Sequence, residues 1–384
     1  LGEGADKNLK AISAFSASNI GNYYISCKFA KSKESEIYKA WAWGNYKYQS
    51  KSKKNLLYVK EQKELEFLTF YSDCMNFSRD LINSPANKLN PSTYYSKIKN
   101  NNLFKSFNFI DYTEKEINSN FPLTCAVGKS SSSKPKVIEI TNRKLSKKDK
   151  PLVIIGKGVT FDTGGVNIKP GTSMRNMKKD MGGSAIAISL FLLANYFLKK
   201  TKIVLIAPIA ENAISSKSMR PGDVYSSVSG KSVEIAHTDA EGRLLLADAI
   251  EKASSYNPCM IIDFATLTGA ARVALGEDLP AYFCNNETFA KKIENLNKEK
   301  LRCWRLPLYS PYLFKIKSQV ADLSNASLDG MAGSITAALF LQEFLKSPNI
   351  PWFHFDTFAW SQDSKGAALQ GLDIMSDFLR KNFN

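Results

Sequence analysis

Histidine is almost missing from this chain: among 384 residues only His237 and His354 are present. That scarcity makes an H-E-x-x-H protease, a Ser-His-Asp hydrolase built on another His set, or a His-rich zinc site hard to assemble. Each of the two is read as a structural residue, hydrogen-bonded in place. Cys27, Cys74, Cys125, Cys259, Cys284 and Cys303 are widely spaced and include no C-x-x-C pair. This argues against a zinc knuckle or a dithiol redox motif and predicts a reduced, cytoplasmic protein. Long apolar runs are lacking as well. The longest, Ile186 to Leu198, is interrupted by Ser189 and Asn195, is too short to cross a bilayer and reads as a core helix, so no membrane partner is expected. No secretory signal pattern opens the chain, and residue 1 is Leu rather than Met, which predicts that the sequence begins inside a longer protein.

Arginine is scarce too, with nine residues against 43 lysines in a chain of net charge +16. Nucleic-acid sites lean on Arg for bidentate contacts, so dispersed Lys, locally clustered at 51–54 and 144–150, reads as solvated surface. Nucleic acid is therefore not the expected partner, although a DNA-associated basic regulator is the alternative kept open; salt-dependent retention of duplex DNA would favour it. An apolar content of 44% allows a large core and two or three domains.

The first fifty-odd residues are polar and aromatic and end in the charged run Ser50-Lys51-Ser52-Lys53-Lys54, a boundary or exposed loop. Leu65, Leu68, Met75 and Ile82 then form one apolar stripe on a connecting helix that Pro85 must end. From Pro151 onward, short apolar runs alternate with helical segments. Residues 152–155, 203–209, 260–265 and 353–358 read as buried strands; 184–199, 242–256, 287–300 and 334–345 read as helices. The alternation predicts an α/β domain with helices on both faces of a largely parallel sheet and a site at the carboxyl ends of its strands.

The strand at Leu152 runs into Gly156-Lys157-Gly158-Val159-Thr160-Phe161-Asp162-Thr163-Gly164-Gly165. It is not a phosphate loop: G-x-x-x-x-G-K-[ST] is absent there, and at Gly128-Lys129-Ser130 the required upstream Gly is Leu123. Lys169 follows, then Lys178-Lys179-Asp180-Met181-Gly182-Gly183, where Asp180 either caps the next helix or is a ligand. In His237-Thr238-Asp239-Ala240-Glu241-Gly242-Arg243, an extended backbone would turn Asp239, Glu241 and Arg243 to one side. Like charges forced together call for something positive between them. Asp162, Asp180, Asp239 and Glu241, with a nearby Lys, suit two hard or borderline divalent cations such as Mn or Zn.

These clusters resemble the signatures of the leucyl aminopeptidase (cytosol aminopeptidase) family. GKGVTFDTGG, NIKPG, KKDMGG, MRPGD, TDAEGRLLLADA and DFATLTGA occur in the family's order. The similarity runs from about Leu56 to the C-terminus, and FATLTGAARVALGEDLP with HFDTFAW resembles a shorter bacterial branch. AWAWGNYKYQSKSKK, at 40–54, resembles only the tail of the family's N-terminal domain. The implied fold is α/β, with a remnant N-terminal domain (1–55), a connecting helix (56–90) and a catalytic domain (91–384) built on a mostly parallel mixed sheet flanked by helices.

By resemblance, Lys157, Asp162, Asp180 and Glu241 would hold one metal, and Asp162, Glu241 and Asp239 the other, Asp239 also lending its backbone carbonyl. As a ligand Lys157 must be neutral, which burial and two adjacent cations can enforce. Lys169 would stay charged and polarise the scissile carbonyl, and Arg243 would bind a bicarbonate acting as general base. Met177, Thr266, Leu267 and Gly269 match positions lining the first side-chain pocket. The implied activity is removal of an N-terminal residue, preferably Leu or another bulky apolar one, from peptides by a two-metal homo-hexamer. His237 stands where the family more often has Asn, immediately upstream of two expected ligands. An inactive homologue is disfavoured, since every expected position is filled.

Overall fold

The apolar runs alternate their side chains between two layers, and that alternation fixes how the sheet is buried. In the computed structural model, which describes residues 5–18, 21–24, 31–49, 56–298, 300–361 and 366–383, Leu152 and Ile154 face one apolar layer while Val153 and Ile155 face the other. Leu205 and Ala207 oppose Val204 and Ile206 in the same way. Strands covered on both faces must be apolar on both, so they read as continuous runs.

Among the described residues the sheet has nine strands, in the order Trp304–Arg305, Ala281–Cys284, Trp352–Asp356, Met260–Ala265, Leu152–Gly156, Ile203–Asn212, Lys136–Thr141, Asn108–Phe109, with Gly158–Asp162 beside the far end of Ile203–Asn212. The four central strands are mutually parallel, whereas Lys136–Thr141 and Ala281–Cys284 join antiparallel on either side. Helices Gln62–Asn83, Gly182–Phe197 and Leu372–Asn382 cover one face. Pro122–Gly128, Gly242–Ser254 and Gly333–Gln342 cover the other. The mostly parallel mixed α/β sheet expected from the sequence is thus the one observed.

The four expected strands are present within a few residues, as are the helices, observed at Gly182–Phe197, Gly242–Ser254, Glu287–Leu296 and Gly333–Gln342. On Gln62–Asn83, Leu68, Met75 and Ile82 are buried, but Leu65, in the first turn, is 40% exposed. The expectation that the longest apolar segment is too short for a bilayer needs correction. A continuous helical run, Met177–Phe197, is long and apolar enough to cross one, yet it lies buried among other elements. Apolar residues surround Gly182–Phe197 on every side because strands and two helices do too.

Towards the N-terminus, helices Ala5–Ser18 and Lys31–Gly44 accompany a parallel pair of short strands, Asn22–Tyr24 and Leu56–Tyr58. Arg79 of Gln62–Asn83 sits 3.9 Å from the rings of both Trp43 and Tyr46 and donates to the Trp43 carbonyl, tying this layer to the sheet domain. The run Ser50 to Lys54 and Cys27 lie outside the described residues. Cys74, Cys125, Cys259, Cys284 and Cys303 are free thiols.

Candidate metal centre

The site begins where the chain parts from one of its two neighbouring strands. Leu152–Gly156 pairs with Met260–Ala265 as far as Gly156 opposite Phe264. After Lys157 the chain stays beside Ile203–Asn212, which Leu152–Gly156 also pairs with, but no longer pairs with Met260–Ala265, and Asp162 ends opposite Asn212. The step opens the sheet at its carboxyl ends, where an open α/β sheet presents ligand sites. Lys157 stands at the step, Asp162 at the end of the next strand, Thr266 just past Met260–Ala265, and Asp356 at the end of Trp352–Asp356.

Glycine sets how closely the next element approaches. A Cβ on Gly183 would lie 2.2 Å from the Phe264 carbonyl oxygen, so the entry of helix Gly182–Phe197 can press onto the strand only without one. That contact places the preceding 3-10 turn, Met177–Met181, over the opening. Asp180 does not cap the helix. Its Oδ1 accepts from the Thr266 hydroxyl at 2.8 Å, and its Oδ2 faces the Lys157 ammonium at 2.7 Å.

The third cluster departs from expectation. Residues 237–240 form a turn rather than an extended segment, with the Ala240 N–H donating to the His237 carbonyl, and Glu241 already has helical dihedrals as the residue before Gly242–Ser254. The turn itself brings the two acids together. Buried Asn325 pins it, receiving the N–H groups of Ala236 and His237 and donating to the carbonyls of His237 and Ala240.

Asp162, Asp239 and Glu241 each offer an oxygen within 4.8 Å of the others. Lys157 lies 2.8 Å from Glu241 and donates to the Thr266 carbonyl at 2.9 Å. Lys169 pairs with Asp162 at 2.8 Å and with Asp239. Asp162 Oδ1 is steadied by Asn212 Nδ2 and the Gly164 N–H. Four carboxylates meet only two ammonium groups, an excess of two negative charges. The titration follows from that imbalance. Burial and the neighbouring Asp162 push Glu241 up to about 8, against the pull of Lys157, and the same two causes push Asp239 up to about 7, against Lys169. Burial works against the positive charge on Lys157 and Lys169, but the surrounding carboxylates outweigh it and raise both. Asp162 is lowered, burial being overcome by Lys169 and Lys157.

Asp180 Oδ2, Asp239 Oδ1 and Glu241 Oε1 are buried oxygens without a hydrogen bond, held only by ion-pair attraction to lysines. Oxygen donors with unmet lone pairs around excess negative charge suit hard or borderline divalent cations. The residues present therefore fit such a pair of ions.

Lys157, Asp162, Lys169, Asp180, Asp239, Glu241, Met177, Thr266, Leu267 and Gly269 all line one cavity. Arg243 does not; its buried guanidinium donates to the Asn325 carbonyl at 2.5 Å, while its Nε has no partner, and burial lowers it to about 10. His237 is exposed and accepts the Asp239 N–H through Nδ1. His354 is buried against Asp263, as a structural histidine should be.

Sequence reasoning missed several residues here. Asp356 accepts from the Leu267 and Thr268 N–H groups and from Ser334, fixing the loop that carries Thr266. Asn212 and Asn325 hold the acid-bearing turns, and no motif flags them. Lys179, buried beside Asp180, and Arg272 also line the cavity, each close to the Phe358 ring. Burial pushes Lys179 down to about 8.

A profile of the cytosol aminopeptidase family, catalytic domain, matches residues 76–375. The chain is 38% identical over 295 residues to the probable cytosol aminopeptidase of Syntrophotalea carbinolica, covering 76% of this chain and 59% of that protein. It is 40% identical over 291 residues to the cytosol aminopeptidase of Encephalitozoon cuniculi, covering 74% and 59%. The chain thus spans less than two thirds of the length of these relatives. Among solved structures, the cytosol aminopeptidase from Coxiella burnetii superposes with TM-score 0.89 at 36% identity, over 98% of this chain and 84% of that one. The bottromycin maturation enzyme BotP in complex with Mn gives 0.87 at 26%, over 99% and 88%.

Proposed function

This chain belongs to the cytosol aminopeptidase family, and from that premise we propose that it is a metal-dependent aminopeptidase releasing single N-terminal residues, bulky apolar ones by preference, from short peptides. The observation that carries the reading is the convergence of Asp162, Asp239 and Glu241 within 4.8 Å, with buried oxygens left unbonded around them. Lys157, Asp162, Asp180 and Glu241 would hold one divalent ion, Asp162, Asp239 and Glu241 the other, with Mn favoured by the neighbour that carries it. Bound there, the ions supply Lewis acidity towards water and an anchor for a free amine.

The chain's own residues supply the rest. Lys169 is kept positive by the acids around it and stands at the cavity wall, where it stabilises negative charge developing on the scissile carbonyl oxygen. By the family resemblance Arg243 would hold a bicarbonate serving as general base, which requires its guanidinium, here donating to the Asn325 carbonyl, to turn towards the cavity. Met177 and Leu267, both half-buried, give the first side-chain pocket apolar wall, with Thr266 and Gly269 completing it. A homo-hexamer is the assembly that the family resemblance implies, and Val273, Phe314, Leu328 and Met331 are individually exposed apolar residues available for contacts between copies. We place the enzyme in the cytoplasm, as the family name implies.

The test is hydrolysis of leucinamide against N-acetyl-leucinamide by the Mn-supplied protein. Only the free amine should be cut; equal cleavage of both would overturn the exopeptidase reading.

A further inference from the structure

The cavity beside the acidic cluster is not the purely apolar pocket that a preference for leucine calls for. Lys179 is only 4% exposed, yet it lines this cavity. Among the described residues its ammonium has no ion pair and no hydrogen bond; its close neighbour is the Phe358 ring, 4.4 Å from Nζ to the centroid. Lysine is seldom buried without a counter-charge, because desolvation is costly and one aromatic face offsets only part of it. Arg272, exposed at the rim, stacks its guanidinium over the same ring at 4.7 Å. Two cations thus flank one wall of the cavity. Glu277 lines it as well, but no ion pair joins it to either cation among the described residues.

Lys169 and Lys157 are the ammonium groups paired directly with the four carboxylates; Lys179 feels the attraction of neighbouring Asp180, yet among the described residues no carboxylate lies within ion-pair distance of it. A substrate carrying a carboxylate would supply the missing partner, in a site sheltered from water where a charge-assisted hydrogen bond is strong. The net charge of +16 would also favour the approach of anionic peptides.

We propose that Lys179, assisted by Arg272, is a specificity-determining residue that pairs with a carboxylate of the substrate in the cavity beside the metal centre. The inference rests on the aminopeptidase reading and deepens it. That carboxylate has two sources: the side chain of an N-terminal acidic residue, or the free C-terminus of a dipeptide whose first residue is apolar. In either case Phe358, which both cations approach, is part of the same cavity wall.

The experiment compares matched pairs on the Mn-loaded protein: glutamyl-p-nitroanilide against glutaminyl-p-nitroanilide, and Leu-Gly against Leu-glycinamide. The wild type should favour the anionic member of at least one pair by about tenfold or more in kcat/KM, a threshold well below the roughly 10⁴-fold that a fully buried polar site left unpaired can reach. The pair that shows it identifies the source. Lys179→Met should bring that ratio to about one, Lys179→Arg should keep most of it, and Arg272→Gln, on the exposed rim, should reduce it with no risk to the fold. A wild-type ratio near one in both pairs, or a ratio retained in Lys179→Met, overturns the proposal. Calorimetric binding of L-glutamate against L-glutamine, and of D-Leu-Gly against D-Leu-glycinamide, needs no turnover. If both members of each pair go uncut, the aminopeptidase reading fails, and the binding ratios alone then decide the role of Lys179: anionic preference lost in Lys179→Met upholds it, equal binding refutes it.

Discussion

Replacing Glu241 by Gln should stabilise the metal-free protein while destroying its response to metal. The side chain is fully buried, and its carboxyl is pushed up to about 8 by burial and Asp162. The sign follows from linkage. A raised folded-state pKa means that the folded protein binds more protons than the unfolded chain between the ordinary carboxylate value and about 8. Its stabilising contribution is therefore complete below the ordinary value and lost as pH climbs through that window. At pH 7 the penalty spans roughly 2.5 pKa units, or about 3 kcal/mol. Gln keeps the shape without the charge and escapes the penalty. In the wild type, divalent ions displace the proton, so Mn should stabilise by about 2.7 kcal/mol at a hundredfold excess over Kd. Urea unfolding at pH 5, 7 and 8, with chelator and with Mn, reads both effects. Metal-free wild type should weaken steadily over this range, and Glu241→Gln should weaken less and gain little from Mn. A variant less stable than the wild type at pH 8 under chelator, or one with an undiminished Mn response, would refute the reasoning.

Lys169→Ala should leave metal uptake largely intact but lower kcat by about 10²- to 10³-fold, as expected for a lost oxyanion-stabilising group; metal analysis beside kinetics checks the division of labour. Gly242→Ala would set a Cβ 2.4 Å from Lys157 Cε and 2.7 Å from Nζ. Displacing that ammonium should weaken Mn binding by roughly 10- to 100-fold by calorimetry, and unchanged affinity would mean that Lys157 is not a ligand. Burial disfavours the charged His354, but Asp263, 2.5 Å away, outweighs it and raises its pKa. Its contribution is therefore full below pH about 6.5 and lost as pH rises through the raised value. Denaturant titrations of the Mn-loaded protein should show that decline in the wild type and not in His354→Gln.

The central strands were legible because both their faces are buried, leaving unbroken apolar runs such as Leu152 to Ile155. Lys136–Thr141 was not, because Glu139 interrupts its pattern; in the fold that carboxylate is fully buried and accepts hydrogen bonds from Tyr112 and Tyr256. The short helices Pro91–Lys99 and Glu114–Asn120 were also passed over, although Asn90 with Thr93, and Thr113 with Glu116, form capping boxes that the sequence displays. At the site, the acids announced themselves by clustering in three motifs. Their supports did not: Asn325 reaches the Asp239 turn from a distant loop, and Asp356 fixes the Thr266 loop from another strand. Lys179 stood beside a motif residue, but only its burial without a counter-charge separates it from the many surface lysines.

The central claim is that the excess negative charge of four clustered carboxylates, those of Asp162, Asp180 and Glu241 buried and that of Asp239 partly so, is balanced by two divalent ions. Anomalous diffraction at the manganese edge from crystals grown with Mn tests it most directly. The account predicts two peaks, one among Asp162, Asp239 and Glu241, the other among Lys157, Asp162, Asp180 and Glu241. An acid cluster that showed no anomalous density at saturating Mn, with its lysines still seated between the carboxylates, would contradict it.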